Sequence, residues 1–194
     1  MGTAIDRVFI DKLAIVLEKS LSNSSRSLGI VVTRKNPSEH ENFTDVVICA
    51  IGITGFLNGN LTIIIPQKTA CQFVGKMLGS SYDQVNDDIL DGCREVTNMI
   101  AGVIKMEMSL QGCDLCIGLP TSMIGHGLHM RFNPADKYLH QQYSSSDGDL
   151  EMYLAFKESE SVTDKNLGIK STVTSKDAAA SLLEKMKKIS QNPK

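Results

Sequence analysis

The sequence predicts an α/β protein of the α+β type, with a mainly antiparallel β-sheet backed by two long α-helices and a C-terminal helical extension. Three observations carry that expectation. Residues 86–112 keep helical periodicity from end to end, with Ile89, Cys93, Val96, Ile100 and Val103 recurring at three- and four-residue steps. Residues 3–19 repeat the pattern with Ile5, Val8, Phe9, Leu13, Val16 and Leu17. Between them, residues 46–65 hold two β-rich runs separated by Asn58-Gly59, a pair suited to a two-residue type I′ hairpin turn.

The elements follow in order. The Ser/Asn-rich run 20–27 is expected to break the first helix, and residues 28–33 read as a strand leading into a polar loop. Strands at 46–57 and 60–65 follow, and Pro66 ends the second. A short helix carries Ala70, Phe73, Val74, Met77 and Leu78 on one face and stops at Gly79. The long helix runs from Asp87 to Leu110, 24 residues or roughly 36 Å at 1.5 Å per residue. Asn86 is its N-cap, Asp87 and Asp88 suit the positive end of its dipole, and Gly112 is its C′ residue. Residues 114–119 read as a strand, Pro120 turns the chain, and Gly125-His126-Gly127 makes a tight turn between short strands. Residues 133–149 read as irregular. Residues 150–156 alternate Leu150, Met152, Leu154 and Phe156 on one face, as a half-buried strand does. Residues 1–158 form one domain. Residues 159–174 read as a polar linker, and Ser175 caps a last amphipathic helix too short to stand alone. That helix docks on its own domain or a dimer mate, or serves as a detachable partner-binding segment.

Composition excludes several classes of function. Twenty basic residues against 22 acidic ones leave a net charge of −2, with no basic block, so nothing favours nucleic acid or an anionic membrane. The longest apolar run, 46–57, is too short and too interrupted to span a bilayer. The N-terminus lacks the cationic and apolar regions of a signal peptide. Five scattered cysteines fit reduced thiols in a cytoplasmic protein.

On the long helix, Asp91, Glu95, Asn98, Gly102 and Lys105 fall opposite the apolar stripe. Glu95 and Asn98 are three apart, so a carboxylate and a carboxamide share one face, about a turn from each other. Gly102 is bare where most helices carry a side chain, a choice that costs about 1 kcal/mol relative to Ala.

The run D-G-C-R-E-V-T-N-M-I-A-G at 91–102 resembles the CheX branch of the CheC/CheX/FliY family of bacterial chemotaxis phosphatases, whose members share D/S-x-x-x-E-x-x-N on a long helix. I-P-Q-K-T-A at 65–70, M-L-G at 77–79, and L-P-T at 119–121 with a later G-x-G look like the same branch in matching order, so the resemblance covers about residues 5–157. CheC-type relatives carry the E-x-x-N pair on two pseudo-repeated helices. Here Glu18 is followed at the third position by Leu21, so one site per chain fits. The resemblance implies dephosphorylation of a phosphorylated CheY-like receiver domain. Glu95 would pair with the receiver's active-site lysine, Asn98 would orient the attacking water, and Asp91, Met99 and Gly102 would contact the partner. It implies no cofactor bound by this chain, Mg²⁺ on the receiver, and a homodimer formed at a sheet edge. Two features depart from the family: His126 between its two glycines and the C-terminal extension.

Plainer readings stand beside these. Glu95 and Asn98 could belong to an ordinary solvated helix face. Cys113-x-x-Cys116 is a single pair and reads as structural, though a redox or zinc role is the sharper alternative. His126 reads as a turn residue, and the nine methionines as core packing. The rival function is a non-catalytic receiver-binding or chemotaxis adaptor module on the same fold.

Overall fold

The computed structural model describes residues 7–36, 42–129, 131 and 137–158. In chain order the elements are α1 (Arg7–Ser27), β1 (Thr33–Lys35), β2 (Asn42–Phe43), β3 (Val46–Gly55), β4 (Leu57–Pro66), α2 (Gln67–Leu78), α3 (Asp87–Ser109), β5 (Leu115–Ile117), β6 (Thr121–Gly125), β7 (Leu128–His129), β8 (Lys137–Ser145) and β9 (Gly148–Glu158). The expected linker and terminal helix, 159–194, lie outside the described residues, as does the first turn expected at 3–6.

The main sheet has seven strands in the order β1-β8-β9-β4-β3. The outer edge of β3 is divided between β6, which pairs with its first half, and β5, which pairs with its last residues. Every pairing is antiparallel. Alternate residues of the central strands, including Val47, Cys49, Ile51, Leu61, Ile63, Met152 and Leu154, share one core with all three helices. The opposite sheet face carries a smaller cluster of Phe43, Val46, Ile64 and Tyr153 beside the β2–β7 pair. The predicted architecture of an antiparallel sheet backed by helices is what the chain adopts.

Four local expectations are corrected. Helix α1 does not stop at residue 19 but continues to Ser27. Ser20, Ser24 and Ser25 face the core, and the hydroxyls of Ser20 and Ser27 donate to the carbonyls of Leu17 and Ser24, both at 2.7 Å. Serines that bond to their own helix in this way satisfy themselves without ending it. Residues 28–32 are a turn and an extended link rather than a strand, and β1 starts only at Thr33.

The hairpin between β3 and β4 forms, but its turn is centred on Phe56, not on Asn58-Gly59. Ile53 pairs with Gly59 and Gly52 with Asn60. Gly55 takes φ 113, where a side chain is disfavoured. Phe56 packs its ring 5.5 Å from that of Phe9 and donates its N–H to Asp114 O at 3.0 Å. Asn58 and Gly59 lie inside β4 and pair with Lys157 and Phe156. The glycine serves close approach instead of a turn, because a Cβ there would sit 2.1 Å from Ala155 O.

The stretch expected to be irregular, 133–149, contains β8. Its sequence KYLHQQYSS carries little apolar signal, yet Gln141, Gln142 and Tyr143 are buried. Gln141 Nε2 donates to Ala14 O at 2.9 Å and Tyr143 donates to Gln141 Oε1, so the strand is held by polar groups satisfied internally. The expected turn at Gly125-His126-Gly127 forms between the short strands β6 and β7, which join different sheets.

Two predictions follow from this register. Gly59→Ala should cost about 1–3 kcal/mol through overpacking, whereas Asn58→Ala should stay within about 0.5 kcal/mol. Thermal melts of the two variants check this, since a type I′ turn at these positions would make both costly. The second concerns Glu151, with Oε2 2.8 Å from His140 Nε2 and accepting from Tyr153 at 2.7 Å. Burial pushes its pKa up, but hydrogen bonds from His140, Tyr153 and Gln142 outweigh it and leave the carboxyl below its ordinary value. A depressed carboxylate contributes stability that is present above its unfolded pKa, about 4.3, and is lost as pH falls through the lower folded value. Melting temperature should therefore drop below about pH 4, and Glu151→Gln should shrink that drop. An identical acid profile in the variant would refute the assignment.

Candidate functional site

Helix α3 places every candidate side chain. Asn86 caps it by accepting the Ile89 N–H at 3.0 Å. Asp87 and Asp88 occupy its first turn, and Gly112 takes a left-handed φ of 76 just past its end. Ile89, Cys93, Val96, Thr97, Ile100, Ala101, Ile104 and Met108 are buried. Each of the larger apolar side chains contributes roughly 1.5–3 kcal/mol by its burial, which far exceeds the cost of one mid-helix glycine. Val103, expected in this stripe, is only half-buried; Ala101, Ile104 and Met108 continue the core side in its place.

Fixing that face turns its opposite outward. Asp91, Glu95 and Lys105 are exposed, and Asn98, Met99 and Gly102 are half-buried. Asp91, Glu95, Asn98 and Gly102 thus form one continuous edge, as their spacing requires. Among the described residues the side chains of Glu95 and Asn98 have no hydrogen-bond or ion-pair partner, so both are available to another molecule. A Cβ built at Gly102 meets nothing within 4 Å, so the protein's own packing does not demand a glycine there. Met99, Gly102, Val103 and Met106 line a shallow apolar depression against Asn23, Ser24 and Ser27 of α1.

Two neighbours were missed in the sequence. Arg94 pairs with Asp91 across an i, i+3 step, and its Nη1 donates to Ser122 Oγ of β6 at 2.6 Å. The first contact had a signal in the spacing of opposite charges on one helix. The second depends on β6 lying beside α3 and had none.

The thiols stay outside this chemistry. Cys49 and Cys93 are fully buried beneath the edge. The hydrogen bond between their thiols, with burial, holds Cys93 far above its ordinary pKa. Cys113 is half-buried and pushed up by burial, and Cys116 is exposed; all five cysteines are free. Cys49 and Cys93 lack the exposure of a reactive thiolate, and burial disfavours the thiolate of Cys113. His126, in the turn after β6, has its Nδ1 2.6 Å from Asp45 Oδ1. Among the described residues no group of three or more His, Cys, Asp or Glu side chains is placed to hold a metal ion, and no helix is long and apolar enough to cross a membrane.

Comparison with known proteins covers this helix. Residues 47–144 match the family model described as chemotaxis phosphatase CheX. The chain is 30% identical over 129 residues to the CheY-P phosphatase CheX of Thermotoga maritima, covering 64% of this chain and 83% of that one. The fold is similar to that of the chemotaxis protein CheX from Vibrio vulnificus, with TM-score 0.67 and 22% identity over 75% of this chain and 96% of that one. It is also similar to a chain in the CheX–CheY–BeF₃–Mg²⁺ complex from Borrelia burgdorferi, with TM-score 0.62 and 22% identity over 74% and 96% of the two chains.

Proposed function

The chain belongs to the CheX family of chemotaxis phosphatases, and on that footing we propose that it accelerates hydrolysis of the aspartyl phosphate on a CheY-type receiver domain. The supporting observation is the outward edge of α3, where an unpartnered Glu95 stands one turn from an unpartnered Asn98 on a helix locked to the sheet.

Hydrolysis of an aspartyl phosphate asks little covalent chemistry of the helper; it asks for a water held in line with phosphorus. In this reading the receiver brings Mg²⁺ and a lysine that neutralise the phosphoryl oxygens, and this chain binds neither. Asn98 presents a donor and an acceptor in one group, so it can hold a water by both its lone pair and its hydrogen without titrating. Glu95 pairs with the receiver lysine and fixes where Asn98 arrives. Asp91 and Met99 form the rim of the contact, and the bare Cα of Gly102 lets the two surfaces close. Orientation worth ~100-fold in rate corresponds to roughly 2.7 kcal/mol of barrier, within what positioning supplies. Action on such a receiver places the protein in the cytoplasm.

The direct test follows phosphate release from the cognate phosphorylated receiver with Mg²⁺. The wild-type protein should accelerate it, and Asn98→Ala should lose about 100-fold of the acceleration while its affinity for the receiver changes little. Gly102→Ala should gain up to about 1 kcal/mol of folding stability and yet dephosphorylate more slowly. Release no faster than from the receiver alone would refute the proposal and favour the adaptor reading.

A homodimer joined at a sheet edge belongs to the same proposal, and the two edges differ. β1 carries Arg34 and Lys35, charges that discourage strand addition. β6 carries no charge, and Met123, Ile124 and the preceding Leu119 are exposed. Met123→Lys should therefore shift the protein to monomer in analytical ultracentrifugation; an unchanged dimer would rule out this edge.

A further inference from the structure

The edge that presents Glu95 holds a second carboxylate. Asp91 is one turn before it, at the i, i+4 spacing that puts Cβ atoms about 5–6 Å apart, and it is more exposed than not, at 68%. A lysine seeking Glu95 meets an equivalent group there. Only one of the two pairings is productive, because slipping by a turn displaces Asn98 by about 5.4 Å, whereas misplacement by about 1 Å already costs rate heavily. The start of α3 deepens the ambiguity: Asp87, Asp88, Asp91 and Glu95 crowd it, with Arg94 as the one cation among residues 87–98.

Arg94 is built into position. Its guanidinium pairs with Asp91 and donates to Ser122 Oγ at 2.6 Å. Ser122 stands opposite Cys49 in the β3–β6 ladder, so the arginine is tethered to the sheet while it holds Asp91. A planar fork carries two such bonds at once, which an ammonium on a flexible stem does less well. Glu95 has no partner among the described residues.

We propose that Arg94 is a positioning residue that sets the register of receiver docking. By occupying Asp91, it leaves Glu95 as the open member of the two carboxylates that stand one turn apart beside Asn98. This rests on the reading that the α3 edge docks on a phosphorylated receiver. Loss of Arg94 creates a competing complex, one turn out of register, that binds the receiver but holds no water at phosphorus. Non-productive binding of that kind lowers kcat and KM by the same factor and leaves kcat/KM unchanged.

The test is steady-state dephosphorylation of the phosphorylated receiver by wild-type, Arg94→Ala, Arg94→Gln and Arg94→Lys proteins, and by Asp91→Asn in the Arg94→Ala background. Arg94→Gln keeps a donor for Ser122 and guards against a folding defect, which thermal melts monitor. In Arg94→Ala and Arg94→Gln, kcat and KM should fall together by about two- to fivefold, the factor an exposed ion pair of this kind carries. Arg94→Lys should fall between wild type and Arg94→Ala, because an ammonium carries the two bonds less well, and Asp91→Asn should raise kcat and KM together in the Ala background. Unchanged kinetics in Arg94→Ala overturns the inference. So does a fall in kcat/KM that Asp91→Asn does not repair, because that marks a structural role. Wild-type protein and Asn98→Ala run alongside. Absence of acceleration by wild type overturns the phosphatase reading and this inference together, whereas normal behaviour of both with silent Arg94 variants overturns this inference alone.

Discussion

Burial of one side of α3 against β3 is the constraint on which the rest depends. Ile89, Cys93, Val96, Ile100, Ile104 and Met108 are each almost fully enclosed, and a helix of 3.6 residues per turn then has no freedom to choose what faces out. Rotating it by one residue would drive Glu95 or Asn98 into an apolar core, at a cost of several kcal/mol for an unpaired charge. The sheet therefore sets the orientation of the polar edge as firmly as it sets the core. Around it, α1 and α2 flank the helix, and β6 supplies Ser122 to hold Arg94 in place. The chain's own packing fixes the orientation of the edge, which is what the proposed catalysis by orientation would require.

How much of this was legible in the sequence depended on which period carried the information. The long helix was read almost to the residue, because its cap, its apolar spacing and its closing glycine agree with one another. Strand β9 was legible for the same reason, with Leu150, Met152, Leu154 and Phe156 alternating cleanly. Strand β8 was not: Gln141 and Tyr143 are buried by virtue of bonds to Ala14 and to each other, and a window of local hydrophobicity contains no trace of a partner 127 positions away. The Asn58-Gly59 turn failed for a related reason. A glycine is needed there, but by the backbone of β9 and not by its own φ. The serines closing α1 read as a breaker because their exposure was assumed, whereas the fold buries three of them.

The candidate site shows the same division. Spacing placed Asp91, Glu95, Asn98 and Gly102 on one edge, and the structure turns that edge outward. The chemistry those residues would perform came from the family resemblance, and the tie from Arg94 to Ser122 came only from the tertiary contact between α3 and β6. In the proposed function the arrangement would separate tasks that a single group would have to compromise. A charged residue is suited to recognition because it acts at distance and in a defined sense. A neutral carboxamide is suited to holding water at an anionic phosphoryl group, where a second carboxylate would be repelled. In the proposed contact a glycine would remove bulk at a cost of about 1 kcal/mol, small beside the barrier lowering at stake.

The division of labour between Glu95 and Asn98 is the central claim, and single-turnover phosphate loss under saturating protein tests it most directly. Raising the protein concentration until every phosphorylated receiver is bound should recover part of the wild-type rate in a Glu95→Gln variant, because its defect lies in assembly as well as in register. It should leave Asn98→Ala at the rate of the receiver alone, because its defect lies in the bound complex. An Asn98→Ala protein that regains acceleration at saturation would contradict the account.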